Sequence, residues 1–169
     1  MHLSPLFSVL VGTLPPAKSN EPSPPLTSNT LVCSFIEKGH AIEYIEVGPE
    51  RKRVVALFFG PDEFAIRCHL GYSKLEALGN VRSNLFTHGQ VMHMLRKFPE
   101  SRVYYRELRR RYQEKVEDRI HTLTALTGPE RFAHLKKCQP WVFKYADIED
   151  IASYLGISVE MVKSLQRSR

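Results

Sequence analysis

The stretch Ile148-Glu-Asp-Ile-Ala-Ser-Tyr-Leu-Gly-Ile-Ser-Val-Glu-Met-Val-Lys-Ser-Leu-Gln-Arg167 decides how this chain is read. It reads as a short helix, a tight turn and a second short helix. Two helices that cross steeply need a small residue where they approach, and Ala152 supplies it. The turn needs a residue that tolerates positive φ, and Gly156 does so without steric cost. Ile148, Ile151, Leu155, Ile157, Val162 and Leu165 stand where both helices must point inward. Ser158 is placed to cap the second helix, and Glu160 lies early enough to favour its dipole. A lone Ala-x-x-x-Gly says little, but agreement across the whole window points to a helix-turn-helix. The plainer alternative is a helical hairpin that only packs.

In such a motif the second helix enters the DNA major groove with its first residues facing base edges. The outward positions read from the sequence are Ser158, Val159, Glu160, Lys163, Ser164 and Arg167. Glu160 can accept from cytosine N4, and Lys163 or Arg167 can reach guanine or a phosphate. The charge distribution agrees with a polyanionic partner. Residues 1–95 carry eight Lys and Arg against eight acids, whereas residues 96–169 carry 16 against 10, so the whole +6 excess lies in the second half. A solubilising helical surface is the competing explanation, and Arg109–Arg111 are read that way.

Working towards the N-terminus, a long helix is expected from about Glu100 to Leu126. Tyr104, Leu108, Tyr112, Val116, Ile120 and Leu123 recur at steps of four or three and form one stripe. The stripe must bury against a second copy, against the β region of the same chain, or against each along successive parts. Gly128-Pro129 precedes a helix over Glu130–Lys137, and Gln139-Pro140 ends it. Thr87 can cap a helix that runs to Phe98 before Pro99. Before Phe86 the pattern is β. Leu31–Ile36, Ala41–Val47 and Arg53–Phe59 are separated by Gly39, Gly48-Pro49 and Gly60-Pro61. Ser73–Leu78 and Asn80–Phe86 flank Gly79. Glu43 and Glu46 interrupt the apolar run of the second strand. The fold class is therefore α+β: a β-roll, a long helix and a C-terminal helical unit. Boundaries fall at 1–98, 99–126 and 127–169.

The 169 residues are 43% hydrophobic and 25% charged, a composition that can build a core without staples. Cys33, Cys68 and Cys138 are scattered without metal-ligand spacing and read as reduced thiols of a cytoplasmic protein. Leu3–Leu14 is apolar but too short to span a bilayer and has no basic residue before Lys18, so neither a membrane span nor a signal peptide is expected. Pro15–Pro25 will not be helical. No Ser/His/Asp order, phosphate-binding glycine loop or metal cluster appears, which argues against an enzyme. Asp62-Glu63 could supply paired carboxylates, but neighbours on a strand face opposite ways. His88 and His93 share a helix face poorly and are given no metal role.

The stretches Phe35-Ile-Glu-Lys-Gly39, Phe58-Phe-Gly-Pro-Asp-Glu-Phe64, Leu75-Glu-Ala-Leu78 and Ile151-Ala-Ser-Tyr-Leu-Gly-Ile-Ser158 together resemble a Crp/Fnr-type transcriptional regulator, especially the short form common in Bacteroidetes. The resemblance covers roughly residues 30–169. It implies a sensor roll like a cyclic-nucleotide-binding domain and a homodimer joined along the long helix through Tyr104, Leu108, Tyr112, Val116 and Ile120. It also implies double-stranded DNA and RNA polymerase as partners. Asp62, Glu63, Phe64, Tyr72 and Ser73 become the effector-site residues. Nucleotide-binding members carry Gly-Glu for the ribose and Arg-Ser/Thr-Ala for the cyclic phosphate. Here Asp62-Glu63 and Gly71-Tyr72-Ser73 stand in those places, with no arginine. A phosphate would lose its charge-assisted partner, so cyclic AMP is not the expected effector. Val159 and Ser164 stand where well-known members have arginine, so the DNA site should differ. Three cysteines cannot hold an iron–sulfur cluster, and Cys68-His69 reads as a chance pair before a haem ligand. No cofactor is evident and the effector is unknown. The alternative function is a ligand-binding sensor module without DNA control.

Overall fold

The computed structural model describes residues 31–66 and 73–168. Cys68, His69, Tyr72 and the N-terminal apolar and Pro-rich stretches lie outside the described residues. An antiparallel sheet of four strands forms the first half: β1 Leu31–Val47, β2 Lys52–Phe59, β3 Glu63–Ile66 and β4 Ser73–Thr87. Six helices follow: α1 His88–Lys97, α2 Ser101–Ala125, α3 Gly128–Cys138, α4 Val142–Tyr145, α5 Ile148–Leu155 and α6 Val159–Arg167. This is the expected α+β order. None of these helices is long and apolar enough to cross a membrane.

β1 is the organising strand. β4 lies along one edge for nearly its full length, from Leu31↔Thr87 to Ile45↔Ser73. The other edge is shared, with β3 beside Cys33–Ile36 and β2 beside Ala41–Val47. Gly39 and Gly79 do not end strands, as their sequence positions suggested. Both have positive φ, 91° and 76°, and the strands run on through them. At Gly39 a Cβ would lie 2.5 Å from the Asn80 carbonyl oxygen, so only glycine lets the two long strands close here. The pairing register slips between Ile36 and His40 at the same place.

The helices fill both ends of this sheet. Thr87 caps α1 through a capping box with Gln90. The first part of α2 buries Leu108 with Cys33, Ile66, Phe86 and Val91. Burial pushes the Cys33 thiol up to about 12, which makes it an inert packing residue. Tyr112 and Val116 pack on Ile36, Ala41, Leu57, Phe59 and Leu75. The Tyr112 hydroxyl donates at 3.1 Å to Glu43, a buried carboxylate that faces the core instead of interrupting it.

A third cluster joins the two halves. Ile42, Val55 and Phe58 of the sheet share a core with Phe132, Leu135, Val142, Ile151, Ala152, Leu155 and Val162 of α3–α6. Around it, His40 of β1 is stacked against Trp141 at 4.2 Å and Tyr145 at 4.5 Å. Polar contacts seal the join. Ser153 Oγ accepts from the Val55 backbone N–H at 3.0 Å. Arg53 of β2 holds Asp150 of α5 (Nε to Oδ1 2.9 Å), donates to Glu76 at 2.8 Å, and lies 3.9 Å over the Tyr44 ring. Burial raises the Asp150 carboxyl above its usual range, and Arg53 opposes that rise.

Removing Arg53 leaves a mostly buried carboxylate without its cation. Arg53→Ala should cost about 2 kcal/mol in urea unfolding at pH 7. With the guanidinium gone the Asp150 pKa rises further. The folded chain then holds that proton more tightly than the unfolded chain, so the penalty should shrink as pH falls towards the ordinary carboxylate range. A pH-independent penalty would mean that Arg53 acts through packing alone.

Candidate nucleic-acid interface

The turn between α5 and α6 is built from local backbone chemistry. Gly156 closes α5 in the left-handed region, φ 63° and ψ 40°. The Ile157 N–H returns to the Ala152 carbonyl at 3.1 Å, the six-to-one bond that ends a helix on glycine. Two arginines from outside the motif take the remaining carbonyls of α5. Arg131 of α3 donates to Leu155 O at 2.6 Å. Arg119 of α2 donates to Tyr154 O and lies 3.8 Å over the Tyr154 ring. Each places a cation at the negative end of the helix dipole. Burial lowers the Arg119 pKa, against the pull of Tyr154.

Ser158 then caps α6, accepting from the Met161 N–H at 3.2 Å. The Glu160 carboxyl is held below its usual range, first by its own backbone N–H and then by the Ser158 hydroxyl. Val162 is fully buried, and Val159 and Leu165 pack beside it on the shared core. Val159 is therefore half-buried on the inner face, not outward as the sequence reading had it. A period of 3.6 explains this, since Val159, Val162 and Leu165 fall on one stripe. Ser158, Glu160, Lys163, Ser164 and Arg167 are all exposed. The last four recur at steps of three, one and three, so they share one face of α6. Met161 is 44% exposed beside them. Gly128 lets α3 approach this unit, because a Cβ there would lie 2.8 Å from Ile157. That close contact is spaced too far along the chain to be read locally.

The other expected sites fare unevenly. Leu108 is buried, and Tyr112 and Val116 are half-buried, all against the chain's own sheet, while Tyr104 is half-buried. Leu108, Tyr112 and Val116 therefore do not form an open seam for a second copy. Ile120 is 56% exposed and Leu123 39% exposed, so only the end of the stripe is free. In the roll, Asp62 takes a positive φ of 62°, and the Phe64 ring meets Phe35 tilted at 32°, centroids 4.6 Å apart. Glu63 accepts from the Gly60 N–H at 2.7 Å and pairs with Lys115 of α2 at 2.7 Å. Lys115 lies 4.7 Å over the Phe59 ring, and burial lowers its pKa. Glu63 is thus engaged with the long helix. Ser73 lies at the start of β4, and Tyr72 is outside the described residues.

The chain runs as an antiparallel sheet, a long helix and a helix-turn-helix. The comparison with solved structures shows that this is a Crp/Fnr-type, cyclic-nucleotide-binding-like fold. FixK2 from Bradyrhizobium japonicum superposes with a TM-score of 0.67 at 16% identity, over 85% of this chain and 74% of that one. A cyclic nucleotide-binding domain containing protein from Listeria monocytogenes EGD-e gives 0.63 at 12% identity, over 95% and 87%. A putative Crp/Fnr-family transcriptional regulator from Eubacterium rectale gives 0.62 at 13% identity, over 82% and 68%. No protein-family model matches the sequence, and no curated protein does.

At Gly156 a Cβ would meet the Arg131 guanidinium at 2.9 Å and would also have to accept positive φ. Gly156→Ala should lower stability by about 1–2 kcal/mol in chemical denaturation. Arg131→Ala should recover part of the contact penalty in the double variant. An unchanged midpoint for Gly156→Ala would contradict the left-handed cap.

Proposed function

We propose that this chain is a sequence-specific, DNA-binding transcriptional regulator of the Crp/Fnr type, working in the cytoplasm as a homodimer. The observation that carries the reading is the free face of α6. Its inner side is used up in the shared core, and Glu160, Lys163, Ser164 and Arg167 stand together towards solvent. A carboxylate, two cations and a hydroxyl are groups that read base edges and phosphates in a major groove. Capped and held by Arg119 and Arg131, the motif is ordered before it meets a partner, which lowers the entropic cost of docking.

The sensor half is read as responding to a small molecule other than cyclic AMP. The position expected to hold a ribose, Glu63, already has Lys115 as its partner, and no arginine stands at 71–73 for a cyclic phosphate. RNA polymerase is the further partner such a regulator would meet. Dimerisation is assigned to the exposed end of α2, with Ile120 and Leu123 in place of the upper stripe. A second reading, a ligand-binding module without DNA control, draws on the modest charge of residues 127–169: seven Lys and Arg against five acids.

A mobility-shift assay on the promoter region of the chain's own operon separates the two. Lys163→Ala and Arg167→Ala should each weaken binding by about 1–3 kcal/mol, and all binding should fall steeply with salt. Affinity unchanged in both variants would favour the ligand-binding module. For the dimer, Ile120→Asp with Leu123→Asp should halve the mass seen by sedimentation equilibrium. A mass that stays at two chains would place the interface elsewhere.

A further inference from the structure

The net charge of the chain is not concentrated on the helix-turn-helix. Residues 96–111 carry seven Lys and Arg against two acids, a net +5 out of the total +6. Glu107 is already engaged by Arg110 and Arg111. That leaves Arg96, Lys97, Arg102, Arg106 and Arg109 with only Glu100 nearby in sequence. Among the described residues, no carboxylate lies within ion-pairing distance of Arg96, Arg102 or Arg106. Unpaired like charges repel, so such a cluster is a cost to the free protein that a bound anion would relieve.

This cluster is remote from the DNA-facing helix. Arg102 and Arg106 lie at the start of α2, while the helix-turn-helix is held by Arg119 and touches Leu123 near its end. At 1.5 Å per residue the offset from Arg102 to that end is about 30 Å along the helix. A second, anionic ligand would account for the charge at this end of α2.

The α1–α2 corner has the shape for one. An open surface groove of about 640 Å³ is lined by Met92, Leu95 and Arg96 of α1 and by Arg102, Tyr105 and Arg106 of α2. Met92, Leu95 and Tyr105 are half-buried, and the three arginines are exposed around them. The groove combines an apolar wall with a few polar groups, the mix found in small-molecule sites. Three guanidiniums suit a dianionic phosphate, which each can meet with two parallel N–H donors. We infer that this corner is a binding site for an amphipathic organic phosphate, its aryl or acyl body against Met92, Leu95 and Tyr105 and its phosphate among Arg96, Arg102 and Arg106. The site does not depend on the DNA-binding reading.

Calorimetric titration of the full chain with 1-naphthyl phosphate, inorganic phosphate, neutral 1-naphthol and lysophosphatidate tests it. The aryl or the acyl phosphate should bind at least about tenfold tighter than inorganic phosphate or naphthol, because both halves of the groove contribute. Preference for naphthyl phosphate would indicate a soluble ligand, and preference for lysophosphatidate a lipid. Arg102→Ala with Arg106→Ala should reduce that affinity at least about tenfold and leave the circular dichroism unchanged, since both side chains are exposed. Tyr105→Ala should weaken the organic phosphate but not inorganic phosphate. Equal binding of inorganic and organic phosphate, no effect of the arginine pair, or loss of DNA affinity in its place would overturn the assignment. Retained promoter binding by the arginine variant keeps this result separate from the function proposed above.

Discussion

The placement of α3–α6 on the sheet rests on one contact, the burial of α5 against β2. Ile151, Ala152 and Leu155 enter the same core as Ile42, Val55 and Phe58. Burying large apolar side chains contributes roughly 1.5–3 kcal/mol each. Ala152 is buried in this core, and Ser153 satisfies the Val55 N–H that the approach of α5 takes from water. An eight-residue helix is not stable alone in water. Docking on the sheet gives α5 its order, and α5 in turn supplies the wall on which α6 is packed.

The arginines of the structure divide by environment. Arg53, Arg119 and Arg131 work within the fold, where they bridge β2 to α5 or close the end of α5. Arg102 and Arg106 have no such work, and Lys163 and Arg167 project from the last helix. Residue type alone does not separate these roles. A charge total taken over half the chain placed the excess with the helix-turn-helix, whereas most of it lies at the other end of α2.

Local signals were legible in the sequence. The motif at 148–167 was readable because its requirements are short-range: a small residue, a left-handed glycine, a serine cap and a 3.6-residue period. Thr87 and Gly128-Pro129 marked helix starts for the same reason. Glycine was ambiguous, because positive φ serves a bulge within a strand as well as a turn between strands, and Gly39 and Gly79 proved to be the former. The stripe on α2 showed which side is buried and not what buries it. Leu108, Tyr112 and Val116 found the sheet. The join of Arg53 to Asp150 spans 97 positions, and nothing local announces it. The four-residue β3 and α4 were too short to carry a periodicity.

The central claim is that the sheet and the helix-turn-helix share one core and stand or fall together. Trp141, the single tryptophan, lies at that join, stacked on His40 and edge-on to Phe58 at 6.1 Å. Urea unfolding followed by Trp141 fluorescence and by far-ultraviolet circular dichroism tests the claim directly. One transition with the same midpoint in both signals is the expected result. A fluorescence change that precedes the loss of secondary structure would mean that the two units separate before they unfold, and would contradict the account.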